Sequence, residues 1–311
     1  MFAPAIMQEL TGGRLHLSHG PIDVVLKAWG EASALRAAYA AAARRFPAIL
    51  PELADELCQL RRPAAEQASL GGPVARRMLA ACQPFAGIFL TPMAAVAGAV
   101  ADELLAHMLG AARLERAFVN NGGDIAIWLA PGQALKVGIA GAFSRGNVPA
   151  LNGRLQLEAG SGIGGVATSG ARGRSFSLGI ADSVTVLAGD AAGADAAATL
   201  IANAVNIESA AVERRPACEL DPDSDLGARL VTVAVGSLSE AEIANALAAG
   251  RARAEAYRQQ GLIIDAALML ARRSETLGGS AGSAAASLLP PAGTTACRQR
   301  RARPAAMRRG Q

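Results

Sequence analysis

From Arg14 to Gly30 the chain reads RLHLSHGPIDVVLKAWG, with apolar and polar positions alternating on either side of Gly20-Pro21. Period-two alternation about a turn predicts two strands. The pattern returns in RAFVNNGGDIAIWLA (116–130), where Asn-Gly supplies a hairpin turn. It continues in LKVGIAG (135–141), RLQLEA (154–159), IGGVATS (163–169), the β-branched ADSVTVLAG (181–189) and RLVTVAV (229–235). Other stretches change period. SALRAAYAAAARRF (33–46) and PELADELCQL (51–60) predict helices bounded by prolines, the first capped by Ser33. PMAAVAGAVADELLAHMLG (92–110) predicts the longest helix, with Pro92 in its first turn and Gly110 just past its end. Residues 193–205 and 239–260 predict two more, the last opened by the capping box of Ser239 and Glu242. Runs of strands joined by hairpins, with helices grouped between them, predict an α+β fold of mixed or antiparallel sheets packed with helices.

One motif argues against that reading and fails on its own terms. Gly160, Gly162 and Gly165 stand at the G-x-G-x-x-G spacing of dinucleotide-binding loops. Such a loop needs a helix directly after it, because unpaired helical N–H groups hold the pyrophosphate. The residues after Gly165 are VATSGARGRSFSLG, rich in glycine and without an apolar stripe. No helix is predicted, so the glycines are not read as a Rossmann loop.

Composition refines the picture in three places. Aromatic residues are 4% of the 311, and alanine and glycine carry much of the apolar count, so helices should pack closely through small side chains. The four cysteines, Cys58, Cys82, Cys218 and Cys297, are widely spaced with no C-x-x-C pair, which argues against a zinc ribbon or a disulfide framework. With no secretory pattern in MFAPAIMQEL, the expected compartment is the cytoplasm. The apolar run 85–101 is interrupted by Thr91-Pro92 and ends at Asp102, so it predicts a buried helix and no membrane span. The net charge of +4 conceals two parts: residues 272–311 hold eight arginines and one acid, which leaves residues 1–271 mildly acidic. The expected organisation is one domain over 1–271 and a disordered, Arg-rich tail over 272–311. The tail reads as a solvated extension; nucleic acid is an expected partner only through it.

Several residues can carry chemistry. Asp195 and Thr199 lie one helical turn apart, so a carboxylate and a hydroxyl emerge on one face. Both are hard oxygen donors suited to Mg2+, although Asp195 can equally serve a helix N-terminus and Thr199 a backbone carbonyl. VNNGGD places Asn121, Gly122, Gly123 and Asp124 at a turn whose glycines let a flat ligand lie on the backbone. Arg172 and Arg174 sit among glycines, where guanidinium and amide groups can converge on an anion. The three histidines, His16, His19 and His107, with no G-x-S-x-G elbow, do not support a serine nucleophile.

Read in order, AGAVAD (97–102), VNNGGDI (119–125), VATSG (166–170), SVTVLA (183–188) and ADAAAT (194–199) resemble the motifs of the ApbE family, FAD-dependent protein FMN transferases once linked to thiamine biosynthesis. Over residues 10–271 the chain resembles more closely an uncharacterised branch of ApbE-related proteins from bacteria and archaea. The resemblance implies an ApbE-like fold with FAD or FMN between its lobes. It implies Mg2+ on Asp195 and Thr199, with a backbone carbonyl near Ala94 or Ala95. It also implies cofactor contacts from Asn121, Gly122, Gly123, Asp124, Thr168, Ser169 and Gly170. The expected partners are a small-molecule nucleotide ligand and, if FMN is transferred, an acceptor protein. Three features depart from the family. Ala97 stands where K-G-x-x-x-D has its lysine, leaving Gly98 and Asp102; H-x-x-D-P-x-T-G is absent, with SFSLGIAD in its place; and MFAPAIMQEL leads us to expect no exported leader. In the replacement segment Arg172, Arg174, Ser175, Ser177 and Asp182 are expected near the metal helix, the arginines balancing phosphate charge. The implied activities are FMN transfer from FAD or FAD hydrolysis; the alternative is a non-catalytic protein that holds a flavin or pterin for a metabolic pathway.

Overall fold

Alternation along the chain becomes one large antiparallel sheet, because each strand has an apolar face to hide and the hairpins leave neighbours in sequence adjacent in space. The computed structural model describes residues 2–142, 150–173, 175–277 and 286–289. Its strands are β1 (Ile6–Leu10), β2 (Arg14–His19), β3 (Ile22–Trp29), β4 (Arg116–Asn121), β5 (Asp124–Leu129), β6 (Ala134–Ala142) and β7 (Ala150–Glu158). Further along the chain come β8 (Gly165–Ser169), β9 (Ser183–Ala188), β10 (Val212–Pro216), β11 (Leu230–Val235), β12 (Asp265–Leu270), β13 (Arg273–Thr276) and β14 (Ala286–Leu289). The helices are α1 (Ala32–Asp55), α2 (Leu57–Leu60), α3 (Pro73–Cys82), α4 (Val96–Ala111), α5 (Ala191–Ala204), α6 (Ala217–Leu220) and α7 (Glu240–Gln259).

Nine strands form the main sheet in the order β1-β2-β3-β4-β5-β8-β9-β12-β13, each pairing antiparallel. Helices α1, α4, α5 and α7 pack on one face, with α3 against α4 and α5. Leu17, Val24 and Leu26 from the strands meet Phe46, Leu104 and Ile201 from the helices in this core, all fully buried. A small sheet, β14-β7-β6, accompanies a second core on the opposite face, where Val137, Leu155 and Leu157 meet Ile127, Val166 and Leu187. The architecture is α+β with antiparallel sheets, as the hairpin-rich pattern predicts.

Four local differences have physical causes. The two helices expected at 33–46 and 51–60 are one, α1, running through Pro47 and Pro51 to Asp55 before the short α2. Each proline removes a backbone donor, but Phe46, Ile49, Leu50 and Leu53 are all buried, and their burial outweighs the lost bonds. Glu31, with no side-chain bond, holds the N-cap position expected of Ser33. The helix expected at 92–110 begins as a 3-10 turn, Pro92–Ala95, before α4; this stretch is long and apolar enough to cross a membrane, yet it packs between α1, α3 and α5 as a core helix. Strands β1, β10 and β12 and helices α3 and α6 lie where no element is expected.

Strand pairing continues beyond residue 271, since β13 joins β12 and β14 joins β7. The basic end at 290–311, including Cys297, lies outside the described residues. Gly160 and Gly162 of the G-x-G-x-x-G run occupy the connection from β7 to β8 with positive φ, and Gly165 opens strand β8 where a dinucleotide loop would start a helix.

Candidate functional site

The site is built where the N-terminal ends of α4 and α5 meet the β4–β5 turn. Asp102 of α4 accepts hydrogen bonds from the amides of Ala191 and Ala192, 3.1 and 2.9 Å away, at the first turn of α5. Asp195 of α5 in turn accepts from the Gly98 amide at 3.0 Å, in the first turn of α4. Each helix therefore supplies a carboxylate to the unpaired N–H groups of the other. This exchange requires close approach: a Cβ on Gly98 would lie 2.2 Å from the Ala191 carbonyl oxygen. Asp190 completes the α5 cap through Gly193 N at 2.7 Å.

The β4–β5 hairpin brings the second part. Asn121 pairs with Asp124 across a two-residue turn, with φ of 68° at Gly122 and 119° at Gly123. Only glycine adopts both angles without strain. The Gly123 amide donates to Asn120 Oδ1 at 2.9 Å, and a Cβ on Gly123 would meet nothing within 4 Å. Asn121 is buried and its Nδ2 donates to the Ala97 carbonyl at 3.1 Å, one residue from the amide that Asp195 takes. Asp124 Oδ1 accepts from the Thr168 amide at 3.1 Å, so the turn is tied to the end of β8.

Charge concentrates here. Burial raises the pKa of Asp195 well above the ordinary carboxyl value, and neighbouring Asp124 raises it further; the Gly98 and Ala97 amides offset this in part, and Asp102 adds to the rise. Burial likewise lifts Asp102 to about 6, against the opposing pull of the Ala192 and Ala191 amides. The buried Cys82 thiol is pushed up by burial and by Asp195. Among the described residues, no three His, Cys, Asp or Glu side chains converge tightly enough to hold a metal unaided.

The structure brings together Asn121, Gly122, Gly123, Asp124, the Thr168 backbone and Asp195. Thr199 lies one turn further along α5, partly buried, and its hydroxyl makes no hydrogen bond among the described residues. The Thr168 hydroxyl is 2.9 Å from that of buried Thr185 on β9. Along β8, Val166 packs in the second core and Ala167 in the main one, so alternation sends Thr168 away from the helices and Ser169 towards them. Gly170 passes close to β9's leading segment, where a Cβ would lie 2.6 Å from the Asp182 carbonyl oxygen.

The replacement segment is pinned by contacts of its own. Arg172 Nε is 2.6 Å from Asp182 Oδ1, and the other Asp182 oxygen accepts from Ala271 N at 2.7 Å. Ser177 is buried and bonds Asn203 of α5, rather than lying open near a ligand. Arg174 lies outside the described residues. Ala94 and Ala95 sit in the 3-10 turn that packs against α5. The amides of Ala97 and Gly98 are site groups that no side-chain motif announces; the G-x-x-x-D spacing from Gly98 to Asp102 is their trace in the sequence.

The family model described as AbpE bacteria matches residues 6–280. The chain belongs to that family. Membership bears out the ApbE-like resemblance of the motifs and supports a flavin-related role. Among curated relatives, a UPF0280 protein of Methanothrix thermoacetophila is 39% identical over 160 residues, covering 51% of this chain and 62% of its own. One from Methanothermobacter thermautotrophicus is 40% identical over 137 residues, covering 43% of this chain and 50% of its own. The chain thus spans about half to three fifths of these relatives' length. The crystal structure of the ApbE protein from Thermotoga maritima aligns over 78% of this chain and 98% of its own, with 16% identity and a TM-score of 0.39.

Proposed function

We propose that this member of the family is a magnesium-assisted, flavin-nucleotide binding protein, with FAD or FMN lying against the Gly122–Gly123 turn and the end of β8. One observation carries the reading. Asp195 holds its carboxyl beside that of Asp124, and burial together with like charge drives its pKa up. A divalent cation would relieve that repulsion, and Thr199 offers an uncommitted hydroxyl one helical turn away. Two hard-oxygen donors suit Mg2+, which takes its remaining ligands from water and phosphate. When bound, Mg2+ supplies neutralising charge to a pyrophosphate.

The chain's own residues do the positioning. Gly123 has open space where a side chain would project, so a planar ring can approach the backbone. The Asp124–Thr168 bond fixes that turn against β8. Arg172 is engaged with Asp182, so contact with a phosphate requires it to exchange partners; Arg174 is the second arginine of this proposal.

On this reading the protein transfers FMN from FAD to an acceptor protein, or hydrolyses FAD. A second reading, a non-catalytic holder of a flavin or pterin, is favoured by a specific observation: Asp195 already has a structural task at the Gly98 amide, and alanine stands at position 97. We place the protein in the cytoplasm, where exposed Cys58 and Cys218 stay reduced. Incubation of the purified chain with FAD and Mg2+, followed by mass analysis, separates the readings. AMP released at a rate that falls in Asp195→Asn supports the enzyme; FAD bound and recovered intact supports the holder; and no FAD binding at all contradicts both.

A further inference from the structure

Away from that site, Glu103 of α4 collects cations that the flavin reading leaves unused. It is 4% exposed and accepts from Arg45 Nε of α1 at 2.9 Å and from Arg77 Nε of α3 at 3.1 Å. His107, one turn along α4, places Nε2 3.4 Å from the same carboxylate. Arg45 is fully employed, since its terminal nitrogens reach both oxygens of Glu52 at 2.9 and 2.6 Å. Arg77 is not: it engages Glu103 through Nε alone, and its terminal nitrogens are uncommitted among the described residues. Arg44 is exposed and has no acidic partner among those residues.

Arg44, Arg77 and His107 line an open groove of about 500 Å³ beside α1, α3 and α4, with buried Ala41 and exposed Ala106, Gly110 and Ala111 as its small apolar lining. Three guanidinium groups stand there against Glu52 and Glu103, whose carboxylates are already taken by hydrogen bonds from arginine; Asp102, the other acid near Arg77, spends both oxygens on the Ala191 and Ala192 amides. The surface left for a ligand is therefore cationic, with small apolar side chains beside the cations. Stapling α1, α3 and α4 together accounts for Arg45 and Glu103, but not for the uncommitted ends of Arg44 and Arg77.

We propose that this groove is a second ligand site, for an organic anion whose phosphate or carboxylate head lies between Arg44 and Arg77 while its apolar body covers the alanine and glycine lining. Arginine's planar fork favours such oxyanions, and the hold of Glu103 on Arg77 orients one fork in advance. The site is independent of the flavin reading. His107 is nine residues beyond Gly98 along α4, about 13 Å at 1.5 Å per residue.

Calorimetric titration of the full chain at low salt with inorganic phosphate, phenyl phosphate and phenylacetate tests this. Phenyl phosphate should bind more tightly than phosphate, because only it uses the apolar lining; the tighter of the two phenyl probes identifies the head group. Arg44→Met, which breaks no ion pair among the described residues, should weaken binding at least about tenfold, the effect of one lost charged hydrogen bond, and Arg44→Lys should recover part of it. Asp195→Asn should leave the affinity unchanged. No heat at millimolar probe, unchanged binding in a folded Arg44→Met, or loss of binding in Asp195→Asn would each overturn the proposal.

Discussion

Asp102 stands in water-poor surroundings, and burial pushes its carboxyl up to about 6 although the Ala192 and Ala191 amides and Arg77 favour its charge. An acid whose pKa is higher folded than unfolded binds its proton more tightly in the fold. Its ionisation therefore costs stability above about pH 6, and the cost disappears as pH falls toward the unfolded value of 3.8. The gap between 3.8 and about 6 corresponds to about 3 kcal/mol in full. Between pH 7 and pH 5 the wild type should gain about 1 kcal/mol relative to Asp102→Asn, read from denaturant unfolding at both pH values. A gap that stays constant, or that moves the other way, would show that the amides of Ala191 and Ala192 overcome the burial. At this scale the sequence was legible in part. Spacing alone put Asp195 and Thr199 on one face of a helix, but not that Asp195 serves the N-terminus of a different helix, because that bond spans 97 residues of chain.

Helix α4 can approach α5 because neither has a large side chain at the crossing, and Gly98 is where that matters most. An alanine there would force its methyl group into the Ala191 carbonyl, and backbone on both sides leaves no easy relaxation. Gly98→Ala should cost about 3 kcal/mol or more, at the upper end for overpacking. Gly123→Ala is a different test: its Cβ meets open space, so only the strain of φ 119° remains, about 1–3 kcal/mol. Thermal unfolding of the two variants side by side should rank them in that order; equal shifts would remove the close crossing from the account. Elements were legible where local signals agreed, as at the capping box of Ser239 and Glu242, which the structure closes in both directions. They were illegible where burial overrode local chemistry, as in α1, whose two prolines mark an end that four buried side chains cancel. Strand β1 was missed for another reason: four of its five residues are exposed, so it has no hidden face to betray it.

At the scale of the molecule, one antiparallel sheet carries helices on one face and a smaller sheet on the other, and the candidate site lies on the helix side. Family membership covers residues 6–280, so it includes every residue proposed for the flavin and for Mg2+. The account as a whole depends on Asp195 and Thr199 holding a cation against a nucleotide, beyond the part Asp195 plays in joining two helices. Thr199→Val separates these roles, since the hydroxyl has no partner among the described residues and valine keeps its shape. Calorimetric titration of wild type and Thr199→Val with FAD, with and without Mg2+, is the most direct measurement. The account predicts Mg2+-dependent FAD binding that Thr199→Val weakens at least about tenfold while the unfolding midpoint is unchanged. FAD binding indifferent both to Mg2+ and to Thr199→Val would contradict it.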